Sequence, residues 1–183
     1  MLTMTAVQNN YIDALRDEVT KCGGTLDCLI VAHNDCRLTP RLQRAFDDES
    51  AALLLTHQED WDLTHGDLID AIKWAIEEEH AGRILLVGDS SASVPAEWGN
   101  SDSPAEAVDS GNNVLLRRVR VAEAARAAAQ GHFVAQLKEL LTTPCIASRV
   151  SDGTLVVNGL FFRAETGAFA MFDTEDDTFR ILG

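Results

Sequence analysis

Six apolar runs punctuate the chain, and stretches of helical period separate most of them. Leu26 to Val31, Ala51 to Thr56 and Arg83 to Gly88 are apolar almost throughout, without alternation, which predicts strands covered on both faces. Cys145 to Val150, led in by Pro144, reads as a fourth strand. Thr154 to Phe162 reads as a fifth, and Glu165-Thr166-Gly167 turns it back into a sixth, Phe169 to Phe172. Among the helical stretches, Ile12, Leu15 and Val19 predict a helix from about Ala6 to Thr20, ended by Cys22-Gly23-Gly24. Thr39-Pro40 opens a short helix carrying Leu42 and Phe46. Thr64 and Asp67 have the spacing of a capping pair. They precede a helix to about His80, with Leu68, Ile69, Ile72 and Ile76 inward and Gly82 as its cap. Asn112 to Gln130 is a strong helix former. Gly131 breaks it, and His132 to Leu141 forms a further helix.

Strands that alternate with helices predict an α/β fold: a mostly parallel central sheet flanked by helices, with an antiparallel C-terminal edge. No linker divides the 183 residues, so residues 1–183 are expected to form a single domain. Short right-handed connections bring strands one and three side by side. The polar clusters at their ends, His33 to Arg37 and Asp89 to Ser93, then face each other at one edge of the sheet. Ligands of open α/β sheets sit beyond such strand ends. Residues from Ser90 to Gly111, rich in serine, glycine, proline and acid, read as a long loop.

Charge narrows the class of partner. A net charge of −14 repels phosphate backbones and anionic lipid, so neither nucleic acid nor a membrane is an expected partner. Arg117, Arg118 and Arg120 read as the polar face of a helix. No apolar run approaches the roughly 20 residues of a membrane span. The N-terminal stretch has no basic start and no apolar signal core, so a cytoplasmic protein is expected. Cys22, Cys28, Cys36 and Cys145 form no C-x-x-C pair, and a disulfide scaffold is not expected. Cys28 and Cys145 lie in apolar runs, whereas Cys36 lies in the polar cluster. His57, His65, His80 and His132 are scattered and read as surface or capping residues, and Trp74 as a core or interface residue.

From about Leu26 to Phe172 the chain resembles the β-class carbonic anhydrases. In that family a first strand ends in Cys-x-Asp-Ser-Arg and a later one in Gly-His-x-x-Cys. Here His33-Asn34-Asp35-Cys36-Arg37 lies on the first motif and Gly88-Asp89-Ser90-Ser91-Ala92 on the second. Gly153-Thr154-Leu155-Val156-Val157-Asn158-Gly159 followed by Thr166-Gly167 lies on a third, which matches in spacing. The resemblance implies the family's fold, a homodimer with the site near the subunit interface, and a retained dyad of Asp35 and Arg37. It also implies where the zinc ligands should stand. His33 replaces the first cysteine, Asp89 the histidine and Ala92 the second cysteine. An alanine side chain ligates nothing, and catalytic zinc needs about three protein ligands and an open position. The family's Arg-Asn-Ala-Gly-Asn stretch is also absent, replaced by Leu55 to Asp60.

Three readings of the cluster stand open. In the first, the site is a metal-free relic with no cofactor, in which Asp35 and Arg37 pair and order the strand end. The protein then acts by binding or assembly, without carbon dioxide hydration. In the second, a rebuilt metal site uses His33, Asp89 and Cys36 or Asp35 to hold zinc or a harder divalent ion, as an active carbonate dehydratase or related lyase. In the third, Cys36 is a nucleophile with His33 as its base, as in a metal-free hydrolase. Cys36 and Arg41 are one residue short of the C-x5-R loop of phosphatases, which excludes that class.

Overall fold

The computed structural model describes residues 11–21, 24–46, 50–57, 63, 66–90 and 112–182, with the side chains of residues 21 and 112–118 excepted. Expectations on Ala6 to Asn10, Cys22, Trp61, Thr64, His65, Trp98 and residues 91–111 fall outside these. The described elements are α1 (Tyr11–Lys21), β1 (Cys28–His33), α2 (Thr39–Ala45), β2 (Ala51–Thr56), α3 (Asp67–Glu77) and β3 (Arg83–Asp89). They continue as α4 (Asn112–Thr142), α5 (Pro144–Ser151), β4 (Val156–Arg163), β5 (Ala168–Asp173) and β6 (Thr178–Ile181).

One six-stranded sheet runs in the order β2-β1-β3-β4-β5-β6. The strands β2, β1, β3 and β4 are parallel, β5 pairs antiparallel with β4, and β6 pairs antiparallel with β5. Strands one and three are neighbours, in the register Cys28↔Arg83 through Ala32↔Val87. The apolar runs occupy the middle of this sheet because both faces are covered. Leu29, Ile30, Val31, Ile84, Leu86 and Val87 have no exposed surface. Each such side chain contributes about 1.5–3 kcal/mol of burial.

The larger core lies on one face, where Leu15 of α1, Ile69 and Ile72 of α3, Phe133 and Leu137 of α4 and Ile146 of α5 meet the sheet. On the other face Leu38 and Leu42, at and just before α2, pack on Ile30, Leu53, Val87 and Phe162. Gly88 and Gly159 let α4 approach the first face. A Cβ at Gly88 would lie 2.8 Å from Phe133 Cγ, and one at Gly159 2.7 Å from Leu137 Cδ2.

Several local expectations are corrected. Cys145 to Val150 is not a strand: Pro144 occupies the first turn of the helix α5, where its fixed φ and missing N–H cost nothing. Gly131 does not break the helix, and α4 runs unbroken through 31 residues. Gly131 is exposed, and the roughly 1 kcal/mol that glycine costs in a helix is outweighed where Ala129 and Phe133 anchor its flanks in the core. The N-cap of α3 is Gly66, with no side-chain cap bond, so Asp67 opens the helix and is not the third residue of a capping box. The left-handed residue after α3 is His80, at φ 58°, rather than Gly82. The acidic turn after Asp173 leads into β6, a short strand the apolar pattern did not show. Its Phe179 joins Phe133, Phe161 and Phe172.

Trp74 is half-buried beneath the Arg16 guanidinium, 5.4 Å from the ring centre. Cys28 is buried and Cys145 half-buried. Among the described residues no helix is long and apolar enough to cross a membrane.

Candidate functional site

The site is built where β1 and β3 end side by side. The ladder with β2 continues one residue past His33, as Asn34 N–H donates to Thr56 O at 2.9 Å. The chain then turns sharply around Asp35. Its backbone carbonyl accepts from Leu38 N–H and Thr39 N–H, and its Oδ1 accepts from Arg37 N–H at 2.7 Å and Leu38 N–H at 3.1 Å. An aspartate that caps the backbone two and three residues ahead makes such a turn locally stable. The turn hands the chain to α2 at Thr39-Pro40.

Asp35 and Arg37 form the expected pair. Arg37 Nη2 donates to Asp35 Oδ2 at 3.1 Å, and Nε donates to Oδ1 at 3.4 Å. Burial pushes the Asp35 carboxyl up. The hydrogen bonds from the Arg37 side chain and from the Arg37 and Leu38 amides, with the Arg37 charge, outweigh it and hold the carboxyl below its ordinary value. Asp35 in turn raises Arg37.

Because its folded-state value is lowered, Asp35 contributes stability that is present above its ordinary value near 3.8 and lost as pH falls through the folded value. Asp35→Asn is therefore expected to be less stable than wild type at neutral pH, with the difference shrinking below about pH 4. Urea unfolding across that range checks this, and a difference that stays constant with pH would contradict it.

His33 and Asp89 meet across the two strands. His33 Nδ1 lies 3.1 Å from Asp89 Oδ2, with side chains 12% and 2% exposed. A carboxylate there orients the ring by accepting from Nδ1. Asp89 is held from behind. The next residue, Ser90, donates its N–H to Phe162 O, its Oγ donates to Glu165 Oε2 at 3.0 Å, and Ala164 N–H donates to that Oγ at 2.9 Å. The β4–β5 turn also reaches α2: Arg41 Nη1 donates to Gly167 O at 3.0 Å, and its guanidinium sits 5.5 Å from the Phe162 ring centre. Ser90, Glu165 and Arg41 thus clamp the two halves of the site together. Sequence reasoning missed the parts played by Glu165 and Arg41, because only the folded β4–β5 turn brings them there.

The structure therefore brings together His33 with Asp89 and Asp35 with Arg37. Cys36 is exposed on the turn, and among the described residues no three His, Cys, Asp or Glu side chains gather as a metal-ligand group. Ala92 and Ser93 lie outside the described residues. His33 and Asp89, at two of the expected ligand positions, bond each other, and Asp35 bonds Arg37.

No protein-family model matches the chain, and no curated protein sequence does. Solved structures do match in fold. The β-carbonic anhydrase CcaA superposes with a TM-score of 0.60 at 17% identity, covering 94% of this chain and 86% of its own. A tetrameric β-carbonic anhydrase from the filamentous ascomycete Sordaria macrospora gives 0.60 at 19% identity, over 87% of this chain and 88% of its own. The β-carbonic anhydrase CafA of the fungal pathogen Aspergillus fumigatus gives 0.60 at 16%, over 88% and 82%. At these identities the likeness is one of fold, and the mixed sheet with its antiparallel C-terminal strands is the architecture it shares with them.

Proposed function

We propose that this chain, whose fold is that of the β-carbonic anhydrases, does not hydrate carbon dioxide and acts by binding or assembly. The observation that carries the reading is the His33–Asp89 hydrogen bond. Two positions at which the family's ligands would stand are occupied by side chains that bond each other through His33 Nδ1 and Asp89 Oδ2. Water activation by zinc needs a metal held by about three protein ligands with an open position, and the described residues offer no such set. The working form is a homodimer in the cytoplasm, without nucleic acid, membrane or cofactor.

Elemental analysis and stopped-flow hydration of the purified protein test this. The expected result is zinc far below one per chain and hydration at the buffer background. Near-stoichiometric zinc, together with hydration that His33→Ala abolishes, would overturn it.

A second reading, an enzyme that uses these strand ends, starts from the convergence of His33 and Asp89. It would be either a carbonate dehydratase with an altered metal site on His33 and Asp89, or a metal-free hydrolase using Cys36 with His33. The same two measurements decide the first form. Alkylation of Cys36 without loss of ester hydrolysis would remove the second.

A further inference from the structure

We infer that the N-terminal half of α4 is an arm that docks on a second copy of this chain. The inference rests on the assembly reading above and assigns it a surface. The 31 residues of α4 make a rod of roughly 46 Å. Only its second half enters the core, through Ala129, Phe133, Leu137 and Leu140. Counting back from Ala129 at helical spacing, the same stripe continues through Ala125, Ala122 and Val119. All three are exposed, and Val119 keeps 54% of its surface in solvent. Val121, on another side of the helix, keeps 62%. The apolar stripe that holds α4 to the sheet thus runs on, past the sheet, uncovered by the described residues of its own chain.

Charge selects the occupant. Residues 112–130 carry four arginines (Arg117, Arg118, Arg120 and Arg126) against one acid, Glu123. The whole chain has a net charge of −14, so its remaining surface is strongly acidic. A basic arm with an apolar stripe fits an acidic surface, and a second copy supplies one. About a two-fold axis the exchange is reciprocal: each arm lies on the other copy's acidic surface, and both arms are covered. The same net charge disfavours nucleic acid as the occupant.

Sedimentation equilibrium of the full chain at low and high salt tests the arm. Wild type is expected to dimerise at micromolar concentration, more weakly as salt rises. Val119→Ser with Arg120→Glu, both at exposed positions, is expected to weaken the dimer about tenfold or more while leaving the circular dichroism spectrum unchanged. Glu123→Lys is expected to tighten it at low salt, which a purely apolar contact would not show. Ile181→Ser, on the exposed strand β6, leaves it intact. A dimer that survives the α4 double variant, loosens with Glu123→Lys or breaks with Ile181→Ser overturns the arm and leaves the assembly reading standing. A wild type that stays monomeric removes both.

Discussion

Asp89→Ala is expected to lower the unfolding free energy by about 3 kcal/mol, a large share of the total for a domain of this size. The carboxylate is 2% exposed and lies 3.1 Å from the His33 ring. Removing it takes away the bond that joins the ends of β1 and β3, and leaves an imidazole N–H facing a void in a poorly solvated place. The cost of a stranded buried polar group, more than the loss of an attractive pair, sets the magnitude. His33→Leu combined with Asp89→Leu is therefore expected to recover most of the loss, since it removes both polar partners and keeps the volume. Urea unfolding of His33→Leu, Asp89→Leu and the double at neutral pH closes the cycle. If Asp89→Ala unfolds within about 0.5 kcal/mol of wild type, the pair does not staple the strands. The cycle also separates a structural role from a chemical one, because a leucine pair that restores stability cannot restore any proton transfer.

Gly88→Ala is expected to cost about as much, near 3 kcal/mol, for a steric reason. The added methyl would lie 2.8 Å from Phe133 Cγ, and an aromatic ring packed among Phe161 and Phe179 cannot give way as the end of a flexible chain would. Either the ring leaves its place or α4 lifts from β3. Phe133→Leu alone opens a cavity and is itself destabilising. Together the two changes should cost clearly less than their sum, because the smaller side chain leaves room for the methyl. Additive losses would show that Gly88 matters for another reason. Gly88 immediately precedes Asp89, so the same close approach that seats α4 also fixes the end of the strand that presents Asp89.

The central sheet was legible in the sequence for a physical reason. Strands buried on both faces must be apolar at every position, and Leu29-Ile30-Val31, Ala51 to Leu55 and Ile84 to Val87 can be little else. The partnership of His33 and Asp89 was legible as a place, because neighbouring parallel strands deliver their terminal residues to one edge. The Asp35–Arg37 pair was legible through the resemblance, which places a dyad at these positions, and its residues stand only two apart.

The features that escaped depend on context that no short window carries. Pro144 with Cys145-Ile146-Ala147 suits either a strand entrance or a helix start, and only the packing of Ile146 on the core decides. Gly131 looks like a break until the residues on both sides are known to be anchored. The strand β6 is four residues long and owes its place to Phe179, whose ring partners come from α4, β4 and β5. Arg41, Ser90 and Glu165 lie 74 to 126 residues from the groups they hold, so no spacing rule finds them.

The strand order has a consequence for how this protein fails. Strands β1 to β3 come from residues 28–89 and β4 to β6 from residues 156–181, so each half of the sheet is contiguous in the chain. Within the sheet the halves meet along β3 and β4, where Arg83 pairs with Val156, 73 positions later, and Asp89 with Phe162. That seam closes the longest loop in the sheet, and loop closure makes it the costliest pairing to re-form once opened. A chain that parts there exposes two raw edges, one lined by Ile84, Leu86 and Val87 and the other by Leu160, Phe161 and Phe162. Those edges are apolar on both faces and ready to pair with any strand at hand. The outer strand β6, studded with Thr178 and Arg180, is the safer edge. A sheet that parts along this seam is expected to seed aggregation from its middle rather than from β6.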